Sequence, residues 1–88
     1  MTNQVDQIKE TEAMLRAAAV LAGCAISGDG RVTEQDAANL LSYSRSQLKA
    51  MRAEGNGPDY YAVGMNGGRV SYRLSDLASW VEMARSRA

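Results

Sequence analysis

Histidine is absent from this 88-residue chain, and cysteine occurs once, at Cys24. Without histidine, zinc and c-type haem sites of the usual construction are excluded. A single cysteine excludes an intramolecular disulfide, and a serine or cysteine nucleophile would find no histidine base. No apolar run reaches the about 18 residues that a membrane span needs. Nor is there a basic start followed by an apolar stretch: Asp6, Glu10 and Glu12 mark the N-terminal region, which is not read as a signal peptide. Net charge is missing too, with ten Lys and Arg against ten Asp and Glu. A chain of this length is one small domain that buries roughly 60% of its unfolded surface, too little for a large enclosed active site. The hydrophobic share of 45% and charged share of 23% are globular values. The expectation is a cytoplasmic, non-enzymatic protein with no cofactor, no metal and no membrane partner.

The zero net charge conceals a dipole. In residues 1–41, three cations (Lys9, Arg16, Arg31) face six acids (Asp6, Glu10, Glu12, Asp29, Glu34, Asp36), a net of −3. In residues 42–74, five cations (Arg45, Lys49, Arg52, Arg69, Arg73) face two acids (Glu54, Asp59), a net of +3. The last segment balances, with Arg85 and Arg87 against Asp76 and Glu82. Such asymmetry points to a polyanion-binding face; the plainer alternative is a solvated surface with scattered ion pairs. The run from Asp29 to Asp36 resembles the second half of a calcium loop, but Ala25 and Ser27 would occupy its first ligand positions. Too few carboxylates remain to hold the ion.

Local signals divide the chain into short elements. Ile8, Leu15, Ala18, Ala19 and Ala22 recur near helical spacing, so a helix is predicted from about Val5 to Ala22 with Gly23 as its stop. Gly28-Asp29-Gly30 reads as loop. Thr33 is a predicted N-cap ahead of the acidic turn Glu34-Gln35-Asp36, and Ala37, Ala38, Leu40 and Leu41 continue that helix. After a break at Ser42-Tyr43, Ser44 caps a second helix, with Gln47 completing a capping box and Gly55 as terminator. Two short helices joined by a tight turn form a helix-turn-helix pattern. Asn56-Gly57-Pro58-Asp59 then blocks helix. Tyr60 to Val63 and Arg69 to Arg73 read as strands of a β-hairpin with its tip at Gly64 to Gly68. Val70 and Tyr72 are placed on one face of the second strand, and Arg69, Ser71 and Arg73 on the other. Tyr61 and Tyr72 are expected to be cross-strand neighbours in the core. Ser75 is the predicted cap of a final helix carrying Leu77, Trp80, Val81 and Met83, with Leu74 as hydrophobic staple and Trp80 in the core.

Three pieces of text carry a resemblance: Ala37-Ala38-Asn39-Leu40-Leu41 with Ser44-Arg45-Ser46-Gln47-Leu48; Gly57-Pro58-Asp59-Tyr60-Tyr61-Ala62-Val63-Gly64 with Arg69-Val70-Ser71-Tyr72-Arg73; and Ser75-Asp76-Leu77-Ala78-Ser79-Trp80. In this order and spacing, the chain from about Val32 to Val81 resembles the MerR-like winged helix-turn-helix domain of excisionases and AlpA-type regulators. The implied fold class is mainly α with a small β-hairpin, a winged helix-turn-helix over residues 31–84, with residues 1–30 as an added N-terminal helix and loop and 85–88 as a tail. The implied partner is double-stranded DNA. Arg45, Lys49 and Arg52 stand at i, i+4 and i+7 on one helix face, a stripe that suits the major groove, about 12 Å wide. Arg45, Ser46 and Gln47 occupy the turn from which recognition helices reach base edges. Lys49 and Arg52 are assigned to phosphates, as are the N–H groups near Ser44 and the Tyr43 hydroxyl in the turn. By analogy with winged domains, Asn66, Gly67, Gly68, Arg69, Ser71 and Arg73 form the wing, Arg69 entering the minor groove or touching phosphate.

The sequence also departs from the family pattern, whose members often have a basic residue where Ala62 stands and more arginine or lysine around Ser71. A lone protomer would then bind weakly, and several would load side by side. The resemblance implies an excisionase, or recombination directionality factor, of a phage or bacterial mobile element: a nucleoid-associated protein that binds repeated sites, bends DNA and biases an integrase toward excision. An AlpA-type promoter regulator and a protein-interaction module are the alternatives. The acidic N-terminal helix has more apolar residues than one face requires (Ile8, Met14, Leu15, Val20, Leu21). It either completes the core or meets a neighbouring protomer, and the opposite charges of the two halves suit head-to-tail self-association.

Overall fold

The computed structural model describes residues 3–65 and 68–85. Four helices and three strands follow in the order α1 (Gln4–Leu21), β1 (Arg31–Thr33), α2 (Glu34–Leu40), α3 (Arg45–Glu54), β2 (Tyr61–Val63), β3 (Arg69–Arg73) and α4 (Leu74–Arg85). The sheet is antiparallel with β3 in the centre, in the order β1-β3-β2. The molecule is therefore mainly helical with a three-stranded sheet, not a bare hairpin. β1 is the strand that local pattern does not reveal. It is three residues long, and its partner lies forty residues away, with Arg31 opposite Arg73, Val32 opposite Tyr72 and Thr33 opposite Ser71.

Short-range chemistry sets the helix ends. The side chains of Asn3, Thr33 and Ser44 each accept the N–H three residues on, capping α1, α2 and α3. Ser44 and Gln47 form a reciprocal capping box. Three helices close with the same backbone device, in which a residue in the left-handed region lets the chain fold back on the last turn. Gly23 (φ +75°) and Gly55 (φ +75°) do so at little steric cost. In the turn between α2 and α3 that position is held by Ser42 (φ 63°). There the Tyr43 N–H reaches the Ala38 carbonyl at 2.8 Å and the Ser42 N–H reaches that of Asn39 at 3.2 Å.

α4 starts one residue earlier than its expected cap. The Leu74 N–H donates to the Gly30 carbonyl at 2.8 Å, so the helix grows straight out of β3; Leu74 lies within it, and Ser75 in its first turn. Val32, Ala37, Ala38, Leu48, Tyr72, Leu74 and Leu77 form the core, with Leu15, Ile26, Leu40, Leu41, Tyr43 and Val70 packed around it. α1 lies along α4. Ala19 is fully buried and Thr11 Oγ1 donates to Glu82 Oε2 at 2.8 Å. Ala18 and Ala22, expected on the inner side, face solvent, and Met83 is exposed. The α1 face that does turn inward carries Thr11, Leu15 and Ala19 at four-residue spacing.

The tyrosines are arranged differently from expectation. Tyr61 sits opposite Ser71, on the sheet face away from Tyr72, and is half-buried. Its neighbour Tyr60 tilts against Tyr72, with centroids 6.3 Å apart. One residue of register decides this, because successive side chains alternate faces. Trp80 is half-buried and meets Tyr43 edge-on at 6.1 Å. Since a non-glycine residue in the left-handed region costs about 1–2 kcal/mol, Ser42→Gly is expected to raise stability by up to about 1 kcal/mol in urea denaturation, part of the gain being offset by glycine's larger chain entropy.

Candidate nucleic-acid interface

The basic segment has two kinds of cation. Arg52 is held. Its Nε donates to Glu34 Oε2 at 2.8 Å and Nη2 to Oε1 at 3.3 Å, and its guanidinium lies 5.5 Å from the centre of the Tyr60 ring. Glu34 also accepts the Tyr72 hydroxyl at 2.9 Å. Glu34 is only 5% exposed and Tyr72 is fully buried. Burial works against the Glu34 charge, but the bonds from Arg52 and Tyr72 outweigh it and hold the carboxyl below the ordinary range. The same burial and the adjacent carboxylate push the Tyr72 phenol up. This node ties α3 to the start of α2 and to β3. Arg52, assigned to phosphate from spacing, therefore anchors α3 to α2 and β3, and it also lines the open groove between α3 and the β2–β3 hairpin.

Arg45, Lys49 and Arg69 are exposed, and among the described residues none of the three forms an ion pair. With Ser46, Val63, Gly68 and Ser71 they line one open groove of about 1060 Å³ between α3 and the β2–β3 hairpin. Sequence reasoning thus named three cations that the fold brings to one surface. Gln47 is exposed, but its Oε1 accepts the Ser44 N–H at 2.8 Å, so the capping box holds half of its amide. Tyr43 is half-buried against Trp80 and packs on the core. Asn66 and Gly67 lie outside the described residues. Ser71 accepts Arg31 Nη1 at 3.2 Å, and Arg73 Nη2 donates to Asp29 at 3.2 Å.

Several contributors escaped the sequence reading. Ala25, Ile26, Ser27 and Arg31 add the α1–β1 loop and β1 to the groove. Glu34 reads locally as a first-turn acid suited to the helix dipole; its partners lie 18 and 38 residues away. No local signal predicts them. Among the described residues, no three Cys, Asp or Glu side chains gather to hold a metal, and no helix is long and apolar enough to cross a membrane. No protein-family model matches the chain, and a search of curated proteins finds no significant relative.

Glu34→Gln should cost about 1.5–3 kcal/mol at neutral pH, the range for hydrogen bonds to charged groups. The folded-state pKa of Glu34 is depressed, so its contribution is present above the ordinary carboxyl range and lost as pH falls through the folded value. Urea titrations from neutrality downward should show the gap between wild type and Glu34→Gln shrinking below about pH 4.3, the unperturbed value.

Proposed function

We propose that this protein binds double-stranded DNA as a winged helix-turn-helix, with α3 in the major groove and the β2–β3 hairpin as the wing. The observation that carries the reading is the groove itself. Among the described residues, Arg45, Lys49 and Arg69 converge on it without ion-pair partners, while the one acid lining it, Glu34, is already bound to Arg52. Unpaired cations along one channel repel one another, and a polyanion relieves that repulsion while releasing its counterions. Arg45 and Ser46, in the first turn of α3, are placed for base edges. Lys49, one turn on, and Arg69 at the hairpin serve phosphates. Arg52 acts indirectly, by fixing the angle of α3 against the sheet.

Within this reading the biological role is that of an excisionase. Three free cations give a single copy modest affinity at physiological salt, which favours loading of several copies on repeated sites. The exposed face of α1 suits contact between such copies: Met14, Val20 and Leu21 are 65%, 64% and 89% exposed, with Asp6 and Glu10 on the preceding turns. An acidic, apolar helix on one copy and a basic groove on the next make a head-to-tail array the natural arrangement, bending DNA and presenting it to an integrase.

Gel-shift titration with fragments spanning the source gene, its promoter and any integration junction tests this. A ladder of cooperative complexes at a junction is expected; one discrete complex at a promoter would favour an AlpA-type regulator, and no specific shift at low salt would leave a protein-interaction module. Arg45→Ala should relax sequence preference, whereas Lys49→Ala should weaken all sequences alike and lower the salt slope by about one unit. Met14→Glu with Leu21→Glu should preserve the melting temperature and single-site binding but collapse the ladder. A ladder that survives both changes removes α1 from the assembly.

A further inference from the structure

We propose that Arg31 and Arg73, with the hydroxyls of Ser27 and Ser71, form a second phosphate-binding site beside the groove, and that the Asp29 carboxylate occupies it in the free protein. The inference rests on the DNA-binding reading above and adds a site and a control element to it. Arg31 Nε donates to both Asp29 oxygens, at 2.8 and 3.0 Å, and Arg73 Nη2 donates to Oδ2 at 3.2 Å. Ser27 Oγ donates to Oδ1 and accepts the Arg31 N–H at 2.8 Å. Arg31 Nη1 reaches Ser71 Oγ at 3.2 Å.

Arg31 and Arg73 are directly paired across β1 and β3, which places two guanidiniums side by side. The Tyr61 ring gives both a common floor, with the guanidinium carbons 5.6 and 5.0 Å from its centroid. Pairing like charges directly across a sheet is unfavourable unless an anion sits between them. Asp29 supplies that anion, yet it leaves the site incompletely satisfied: Arg73 Nε is buried and has no hydrogen-bond partner. Two cations share one carboxylate here; the other acid acting on Arg73 is Asp76.

A phosphodiester presents two equivalent oxygens and one negative charge, the same pattern that Asp29 offers to Arg31. Ser27, Arg31 and Ser71 line the groove together with Arg45, Lys49 and Arg69, so a DNA backbone lying in the groove passes directly over the site. Asp29 is replaceable in a way that Glu34 is not. Its side chain is 46% exposed and stands in the loop between α1 and β1, whereas the Glu34 side chain is 6% exposed and locked into the core. The free protein thus contains its own phosphate mimic, which offsets the charge of two cations at the binding surface and lowers affinity for any one stretch of DNA.

The test is fluorescence anisotropy of a short mixed-sequence DNA duplex over a series of salt concentrations. Asp29→Asn should tighten binding about fivefold at low salt and steepen the salt slope by about one unit, the contribution of one added phosphate contact. Arg31→Ala should cancel the gain in Asp29→Asn. Glu10→Gln, an equal change of charge on α1, should not reproduce the gain. Asp29→Ser carries the same test should Asp29→Asn lower the melting temperature. The second site is overturned if Asp29→Asn binds like wild type, if its gain survives Arg31→Ala, or if Glu10→Gln matches it. Inorganic phosphate should reduce the gain no more than chloride at equal ionic strength; a saturable, phosphate-specific loss would reassign the site to a free anion and overturn the DNA assignment. Failure of wild type to bind duplex, or Lys49→Ala binding as well as wild type, would bring down the DNA reading and this site together. Loss of the Lys49 contribution alongside an unresponsive Asp29→Asn would overturn the second site alone.

Discussion

Glu34 is a carboxylate almost fully withdrawn from water at the first turn of a seven-residue helix, and it is kept charged by Arg52 and Tyr72. Removing either partner would strand a buried charge, which is far more costly than never having built the pair. Three elements are fixed by this one group: the start of α2, the last turn of α3 and the middle of β3. The core under them is small: Val32 of β1, Ala37 and Ala38 of α2 and Leu48 of α3 pack with Tyr72, Leu74 and Leu77. A polar node that specifies one relative placement matters more in such a thin core than it would in a large one. The width of the groove between α3 and the hairpin is set by the same placement.

The cations of the basic segment show why a count of formal charge is a poor guide to a binding surface. Arg45, Lys49 and Arg52 occupy one stripe by spacing, yet Arg52 turns to Glu34 while the other two remain in solvent. Arg69 and Arg73 belong to one strand face, yet Arg73 is tied to Asp29 and Arg69 is not. Two of the five cations in this segment, Arg52 and Arg73, are paired with acids of the protein itself. Which cations form an ion pair among the described residues is decided by tertiary contacts, since Glu34 and Asp29 reach Arg52 and Arg73 from 18 and 44 residues away.

The legible parts of the molecule are those governed by neighbours within about four residues. The Ser44–Gln47 capping box, the Thr33 cap, the terminators Gly23 and Gly55 and the strand Arg69–Arg73 all follow from local backbone needs. β1 was not legible, because three residues with one buried valine form a strand only when β3 is present to pair with them. Nor was the exchange of places between Tyr60 and Tyr61, since both neighbours suit a strand and only the register chooses the inner one. Within the candidate site, Arg45, Lys49 and Arg69 were found by spacing and by their place on the hairpin. Asp29, Ser27 and Arg31 were missed because a Gly-Asp-Gly turn gives no sign that its acid reaches a strand forty-odd residues on.

The bond from the Leu74 N–H to the Gly30 carbonyl joins two places that are far apart in the chain, as do the β1–β3 pairing and the Thr11–Glu82 contact. These are the contacts that close the sheet and seat α1. Non-local closure of this kind slows folding, since chain entropy is lost before the contacts form. β3 and α4 follow α1, α2 and α3 in the chain, so the pairing of β1 and the seat of α1 depend on segments that come later. The groove and its internal anion share that dependence, because β3 supplies both the groove wall from Arg69 to Ser71 and the Arg73 that holds Asp29.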